Sequence, residues 1–172
     1  QTSAKTLEAD TLAVLADLNH ASQKGLQTIF DSSVGRSTVN HPLGGRYQLT
    51  PTEASVQKLP VQHGVTHTAS VMAQGFNPYV AEWSPYHGAA YAVIEATARL
   101  VAAGANWSKA RFSYQEYFER MDKQAERFGQ PVAALLGSIE AQIQLGLPSI
   151  GGKDSMSGTF EELTVKSEAK RS

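Results

Sequence analysis

The chain has 172 residues, of which 41% are hydrophobic and 18% charged, with a formal net charge of -1 and no cysteine. This length and composition predict a globular protein with its own core, and the charge excludes a general attraction to nucleic acid or anionic membranes. The lack of cysteine excludes disulfides, thiolate metal sites and a cysteine nucleophile within these residues. Because no apolar run reaches the length of a membrane span and no signal segment opens the chain, we expect a soluble protein, and the lack of cysteine is compatible with a cytoplasmic location.

The amino-terminal part of the chain predicts a helix followed by extended segments. Leucine recurs with helical spacing over residues 7–18, and Gly25 is the predicted end of that helix. Residues 27–30 and 36–40 are short and bounded by turn-forming residues. They therefore predict a strand, a tight turn and an extended return.

A segment rich in glycine and proline comes next. Residues 42–60 contain few apolar side chains and predict an ordered loop, with one turn of helix over residues 52–57. Residues 66–74 alternate modestly between apolar and polar side chains, which predicts a strand.

The strongest local signal surrounds an alanine-rich run. Ser84 is a good N-cap, Pro85 suits the first helical position, and Gly104 follows the run as the expected stop. These signals predict a helix whose alanine-rich part covers residues 88–103.

The remaining elements alternate between strands and helices. We predict a strand over residues 111–114, a short helix over 115–120, a helix over 131–145 that ends at Gly146, and a strand over 147–150. The apolar face predicted for the longer helix consists of Val132, Leu135, Leu136, Ile139 and Ile143.

Residues 150–159 read I-G-G-K-D-S-M-S-G-T and are the most informative stretch. A glycine pair lets main-chain N–H groups approach an anion, a lysine supplies a positive charge, and an aspartate supplies the hard oxygen that Mg²⁺ prefers. A solvated Gly-Gly turn with ordinary surface charges is the alternative. The candidate nucleotide-binding residues are Gly151, Gly152, Lys153, Asp154, Ser155 and Ser157.

Glu95 lies within the alanine-rich helix, where a carboxylate is costly unless it is exposed, paired or bound to a metal. It is a candidate magnesium ligand together with Asp154. The alternative is that Glu95 faces water or pairs with Arg99 one helical turn later. The five histidines show no zinc-motif spacing, and no basic stripe accompanies the aromatic residues as a nucleic-acid groove requires.

Several blocks, taken in order, resemble phosphoribosylformylglycinamidine synthase of the long clostridial type. They are F-D-S-S-V-G-R (30–36), P-L-G-G-R-Y-Q-L-T-P (42–51), S-P-Y-H-G-A-A-Y-A-V-I-E-A (84–96), L-V-A-A-G-A (100–105), Q-E-Y-F-E-R (115–120), P-V-A-A-L-L-G (131–137) and I-G-G-K-D-S-M-S-G-T-F (150–160).

The resemblance implies a fragment of an ATP-dependent ligase that converts formylglycinamide ribonucleotide and glutamine to formylglycinamidine ribonucleotide in purine biosynthesis. The fragment matches the amino-terminal subdomain of the second half of that enzyme, which is of the aminoimidazole ribonucleotide synthetase type. The implied fold is α+β, with helices packed on one face of a mixed or antiparallel sheet. The implied partners are the first synthetase-like half and the glutaminase, and the implied cofactors are Mg²⁺ and ATP or ADP.

Within that resemblance, residues 1–60 form a leading helix and extended loop, 61–165 the subdomain core, and 166–172 a disordered or non-native tail. Asp154 matches the loop acid and Glu95 the helix acid that hold magnesium on a nucleotide. Two positions depart from the pattern, because Arg99 replaces an asparagine ligand and the Gln62-His63 pair stands where an aspartate is expected. A structural, dimerising half with a vestigial nucleotide site is therefore the alternative function. Selenophosphate synthetase and thiamine phosphate kinase, which share the implied fold, lack the blocks at 84–89 and 115–120.

Overall fold

The computed structural model describes residues 4–30 and 36–156, and these residues divide between Met72 and Ala73 into two compact units. The boundary predicted from the sequence at residues 60–61 stays a prediction. Among the described residues, the elements up to this division are two helices and four strands: α1 (Ala4–Ala16), α2 (Lys24–Gln27), β1 (Leu43–Gly44), β2 (Thr50–Pro51), β3 (Ala54–Lys58) and β4 (Ala69–Ala73), whose last residue belongs to the second unit.

The second unit is built mainly from two long helices and a pair of parallel strands. After a 3₁₀ turn at Trp107–Lys109, strand β5 leads through the last helix into β6, which gives a strand–helix–strand unit. Its elements are α3 (Pro78–Trp83), α4 (Pro85–Ala102), β5 (Phe112–Tyr117), α5 (Ala125–Leu145) and β6 (Ser149–Ser155).

The core of the second unit lies where α4, α5 and the start of each strand meet. Val93, Phe112, Ala141 and Leu147 form a buried cluster, and Val93 is only 2% exposed. This cluster holds the β5–β6 pair against the helices.

The α+β class predicted from the sequence is confirmed, but the strands of the described residues do not form one sheet. They form three two-stranded sheets, β1–β2, β3–β4 and β5–β6. The first is antiparallel and the last is parallel. Within the residues that the structure describes, no helix is both long enough and apolar enough to span a bilayer.

The prediction for α4 is confirmed in detail. Ser84 has extended backbone angles, and its hydroxyl accepts a hydrogen bond from the amide of His87, while Pro85 is the first helical residue. Gly104 follows the helix with a φ of +82°, a conformation that glycine adopts without steric cost. The end of α5 at Gly146, with a φ of +67°, is confirmed too.

Three predictions in the first part of the chain are wrong. Helix α1 ends at Ala16, well before Gly25, which lies inside α2. Residues 27–30 complete α2 and its following turns instead of forming a strand. The helical turn predicted at 52–57 is strand β3, because pairing with β4 satisfies its backbone. The strand predicted at 66–74 is present but shorter.

In the second unit, the helix predicted at 115–120 is wrong, because β5 continues through residue 117 alongside β6. Helix α3 was not predicted at all, although Asn77 caps it by accepting hydrogen bonds from the amides of Tyr79 and Val80. Helix α5 begins at Ala125, so Pro131 lies inside it instead of starting it. The tail predicted at 166–172 lies outside the described residues.

Candidate functional site

The glycine-rich motif lies on a strand and not on the loop that the sequence predicted. Strand β6 runs through it from Ser149 to Ser155, in parallel register with β5. In a strand, successive N–H groups point to opposite sides, so these amides do not converge on one anion as they do in a concave loop. Ser157, the last candidate of this group, lies outside the described residues.

The glycine pair has a structural explanation in this geometry. Gly152 lies opposite Tyr114, and a Cβ atom built on Gly152 lies only 2.6 Å from the Tyr114 carbonyl oxygen. Gly151 has a φ of +151°, which residues with side chains rarely adopt. Close pairing of the two strands therefore requires glycine here, whether or not a ligand binds.

The strand also separates the motif's charges. Lys153 and Asp154 are neighbours on β6, and their side chains therefore project from opposite faces of the two-stranded sheet. The Lys153 ammonium lies 5.3 Å from the centre of the Tyr117 ring, a cation–π contact, and Ser155 shares this face. The structure thus brings Lys153 to an aromatic ring and not to the Asp154 carboxylate.

Asp154 instead lies opposite another acid, Glu116 of β5, on the other face of the strand pair. Partial burial raises the pKa of the Glu116 carboxyl, and the negative charge of Asp154 raises it further. Sequence reasoning missed Glu116 because it assigned residues 115–120 to a helix. The alternation of Phe112, Tyr114 and Glu116 with exposed residues was the signal that identifies a strand.

Tyr114 occupies the same face between the core and this carboxylate pair. Its ring packs 5.9 Å from that of Phe112, and burial raises the pKa of the Tyr114 phenol to about 12. Within residues 4–30 and 36–156, its buried hydroxyl has no hydrogen-bond partner. On the side toward the core, the Glu116–Asp154 pair is therefore followed on this face by the aromatic rings of Tyr114 and Phe112.

Glu95 is engaged in the i+4 pair that the sequence offered as the alternative to metal binding. One carboxylate oxygen lies 2.8 Å from Nη2 of Arg99, and the other accepts a hydrogen bond of 2.8 Å from the amide of Phe76. Nη1 of Arg99 donates to the carbonyl of Gln74 at 2.8 Å. We call this arrangement of residues 74–76, Glu95 and Arg99 the α4 clamp.

Gly75 allows the clamped segment to approach the helix. A Cβ atom built on Gly75 would overlap the carbonyl of Ala92. Only glycine at this position therefore allows the segment before α3 to lie so close to α4. The Glu95 side chain is 34% exposed and the Arg99 side chain 23%. The pair is therefore shielded enough from water to fix the position of this segment.

The magnesium site predicted at Glu95 and Asp154 stays a prediction, and the two carboxylates have different charged neighbours. Glu95 is neutralised by a guanidinium, and Asp154 has a second carboxylate as its charged neighbour. Across the described ranges, no three of the residues His, Asp, Glu and Cys come together in a way that would hold a metal ion. Mg²⁺ commonly binds through only one or two carboxylates and keeps several waters, so the Glu116–Asp154 pair is the better placed of the two positions.

Comparisons with known proteins identify the fold. No protein-family model and no curated protein matches this sequence. Among solved structures, the chain is similar to one described as the structure of PurLQS from Thermotoga maritima, with a TM-score of 0.61 and 18% sequence identity. The similarity covers 82% of this chain and 21% of that chain, so the present sequence spans about a fifth of the length of its structural relative. At this identity the match establishes a shared fold.

Proposed function

We propose that this chain is a structural domain of a formylglycinamidine ribonucleotide synthase, the purine-biosynthesis ligase that its sequence blocks resemble. Two independent observations support the family. The ordered blocks come from the sequence alone, whereas the fold similarity to PurLQS comes from the backbone. The short span relative to that protein supports a role as one part of a larger enzyme.

The α4 clamp supports a structural role for this chain. A guanidinium at 2.8 Å holds Glu95, the acid that the resemblance assigns to magnesium. Arginine stays protonated at every physiological pH, so it supplies permanently the positive charge that a metal would supply on binding. In this role, Glu95 and Arg99 anchor the segment before α3 and leave nucleotide chemistry to other domains of the enzyme.

The second candidate is the Mg²⁺ and ATP or ADP site at Gly151, Gly152, Lys153, Asp154 and Ser155. The juxtaposition of Asp154 and Glu116 favours it, because Mg²⁺ is commonly bound by one or two carboxylates. Lys153 on the opposite face disfavours it, because one phosphate group cannot reach both side chains in this register.

Titration of Mg-ADP onto the enzyme that contains this chain distinguishes the two candidates. For a structural domain, the number of nucleotides bound per enzyme is the same before and after Asp154→Asn, and so is the rate of formylglycinamidine ribonucleotide formation. Loss of one bound nucleotide in Asp154→Asn, with the fold retained, supports the nucleotide site and overturns the structural role. Failure of the parent enzyme to form formylglycinamidine ribonucleotide overturns the family assignment itself.

A further inference from the structure

Helix α5 packs through its small side chains. Its buried residues contact α4 and the core, and Gly137 lies so close to α4 that a Cβ atom there would overlap the carbonyl of Tyr86. Apart from Leu145, which packs against the core, this packing leaves the large apolar side chains of α5 on the other side of the helix. The buried residues are Pro131, Ala134, Gly137, Ser138 and Ala141.

The opposite side of α5 carries a continuous row of large apolar side chains, which we call the α5 stripe. At about 100° per residue its members fall within a band of roughly 100° around the helix axis. Their exposed fractions run from 43% for Val132 to 71% for Ile143. The stripe consists of Phe128, Val132, Leu135, Leu136, Ile139 and Ile143.

The spacing of the stripe is the same when read from either end. Successive members are four, three, one, three and four residues apart. If two such helices are placed antiparallel around a two-fold axis at residues 135 and 136, every member meets another member. Phe128 then lies opposite Ile143, Val132 opposite Ile139, and Leu135 opposite Leu136. Such matching is the property of an isologous interface, in which one surface patch is complementary to itself.

Charges do not oppose this pairing. Residues 128–139 include no charged side chain. Arg127, at the edge, forms ion pairs with Glu119 at 3.4 Å and Asp122 at 2.9 Å. Glu140 accepts a hydrogen bond from the hydroxyl of Tyr86. In the antiparallel register, Arg127 falls opposite Gln144 and Glu140 opposite Pro131, so no like charges meet.

The area of the stripe also suits a dimer. The exposed parts of its six side chains amount to on the order of 500 Å², near the upper limit for patches on stable monomers and more than half of one partner's share in a standard interface. Flanking residues of α5 supply the rest when two helices pack side by side at about 20°, the angle that spacings of three and four residues favour.

We propose that the α5 stripe is the docking site for the α5 helix of a second copy of this chain, in an antiparallel two-fold pairing centred between Leu135 and Leu136. This interface does not depend on the nucleotide site or on synthase activity. It assigns a partner to the exposed apolar face of α5.

Cross-linking tests the register directly, because the chain has no cysteine of its own. Under mild oxidation, Leu136→Cys forms a disulfide-linked dimer, since both copies of the residue lie next to the axis. Phe128→Cys alone and Ile143→Cys alone do not, because each lies about 22 Å along the helix from its own symmetry mate at 1.5 Å per residue. An equimolar mixture of those two variants does form a covalent dimer.

Sedimentation of the uncross-linked 172-residue chain gives the second measurement. Leu136→Glu shifts the wild-type dimer to monomer, with at least a tenfold weaker association, while its circular dichroism is unchanged because the position is exposed. Tyr91→Glu, which adds a charge at an exposed aromatic residue of α4, leaves the dimer intact. A wild-type chain that is monomeric throughout, with no Leu136→Cys dimer, overturns the proposal and assigns the stripe to another part of the parent enzyme. Cross-linking of Phe128→Cys or Ile143→Cys alone overturns the antiparallel register.

Discussion

The guanidinium of Arg99 and the carboxylate of Glu95 lie 2.8 Å apart on successive turns of α4, and both are also bound to the backbone of the segment before α3. The pair therefore links secondary structure to tertiary structure. A simple surface pair between residues four apart stabilises a helix only slightly. Here each partner holds a main-chain group as well, so the clamp closes only when α4 and residues 74–76 are both in place.

This relationship predicts energetic coupling between the two side chains. Arg99→Ala and Glu95→Ala should each lower the free energy of unfolding by about 1–2 kcal/mol, because each removes an ion pair and leaves a main-chain group without its partner. In a double-mutant cycle measured by urea denaturation, we expect a coupling energy of about 0.5–1 kcal/mol. Additive losses would show that the two residues act independently. Glu95→Gln is the matched control, because it keeps the acceptor for the Phe76 amide and should cost less than Glu95→Ala.

Local signals in the sequence predicted those elements whose ends are determined by a few neighbouring residues. Ser84, Pro85 and Gly104 act through their own backbone and side-chain geometry, so α4 was predicted with nearly correct limits. The same holds for Gly146 at the end of α5.

Elements that depend on distant partners were not predictable in this way. Strand β5 has polar residues that also suit a helix. Its pairing with β6, which follows α5 in the chain, stabilises the extended form that its short alternating pattern only weakly indicates. Because of the same pairing, the Gly-Gly-Lys-Asp segment is a strand and not the predicted loop. The side chains of Lys153 and Asp154 therefore lie on opposite faces of the strand pair. The motif identified glycines and charged residues as candidates for a binding site. The positions of Lys153 and Asp154 relative to each other, however, depend on the pairing of β6 with β5, which residues 150–159 alone do not determine.

The cap of α3 provides a second test. Asn77 accepts hydrogen bonds of 3.1 Å from the amides of both Tyr79 and Val80. Asn77→Ala should lower the free energy of unfolding by about 1 kcal/mol, since two amides of a six-residue helix lose their acceptor. Asn77→Asp keeps the acceptor and adds a negative charge at the helix amino end, so it should be neutral or stabilising. Equal losses in both variants would exclude capping as the cause.

The facing acids predict a pH dependence of stability. The pKa of Glu116 is raised above its ordinary 4.5 in the folded state, by burial first and by Asp154 second. The folded protein therefore binds this proton more tightly than the unfolded chain does. The corresponding stability is fully present below pH 4.5 and is lost as the pH rises through the raised pKa.

Glu116→Gln should accordingly be more stable than the wild type at pH 7, and the difference should disappear near pH 4. Thermal unfolding across this range measures the effect. Asp154→Asn should give a smaller gain of the same sign, because it removes only the second cause. Glu82→Gln, at an exposed position on α3, is the control and should not change the pH profile. A Glu116→Gln variant that is less stable at pH 7 would mean that the ionised carboxylate has a stabilising partner.

Two glycines of α5 provide a matched pair that tests how closely the helices pack. Gly137 faces α4, where an added methyl group would overlap the carbonyl of Tyr86, whereas Gly129 has open space around the same position. Gly137→Ala should lower the free energy of unfolding by about 3 kcal/mol, because the two helices must separate to admit it. Gly129→Ala should raise it by about 0.5–1 kcal/mol, since alanine loses less backbone entropy than glycine in a helix. Urea denaturation of both variants measures this difference, and a stabilised Gly137→Ala would show that α4 and α5 do not make this contact in solution.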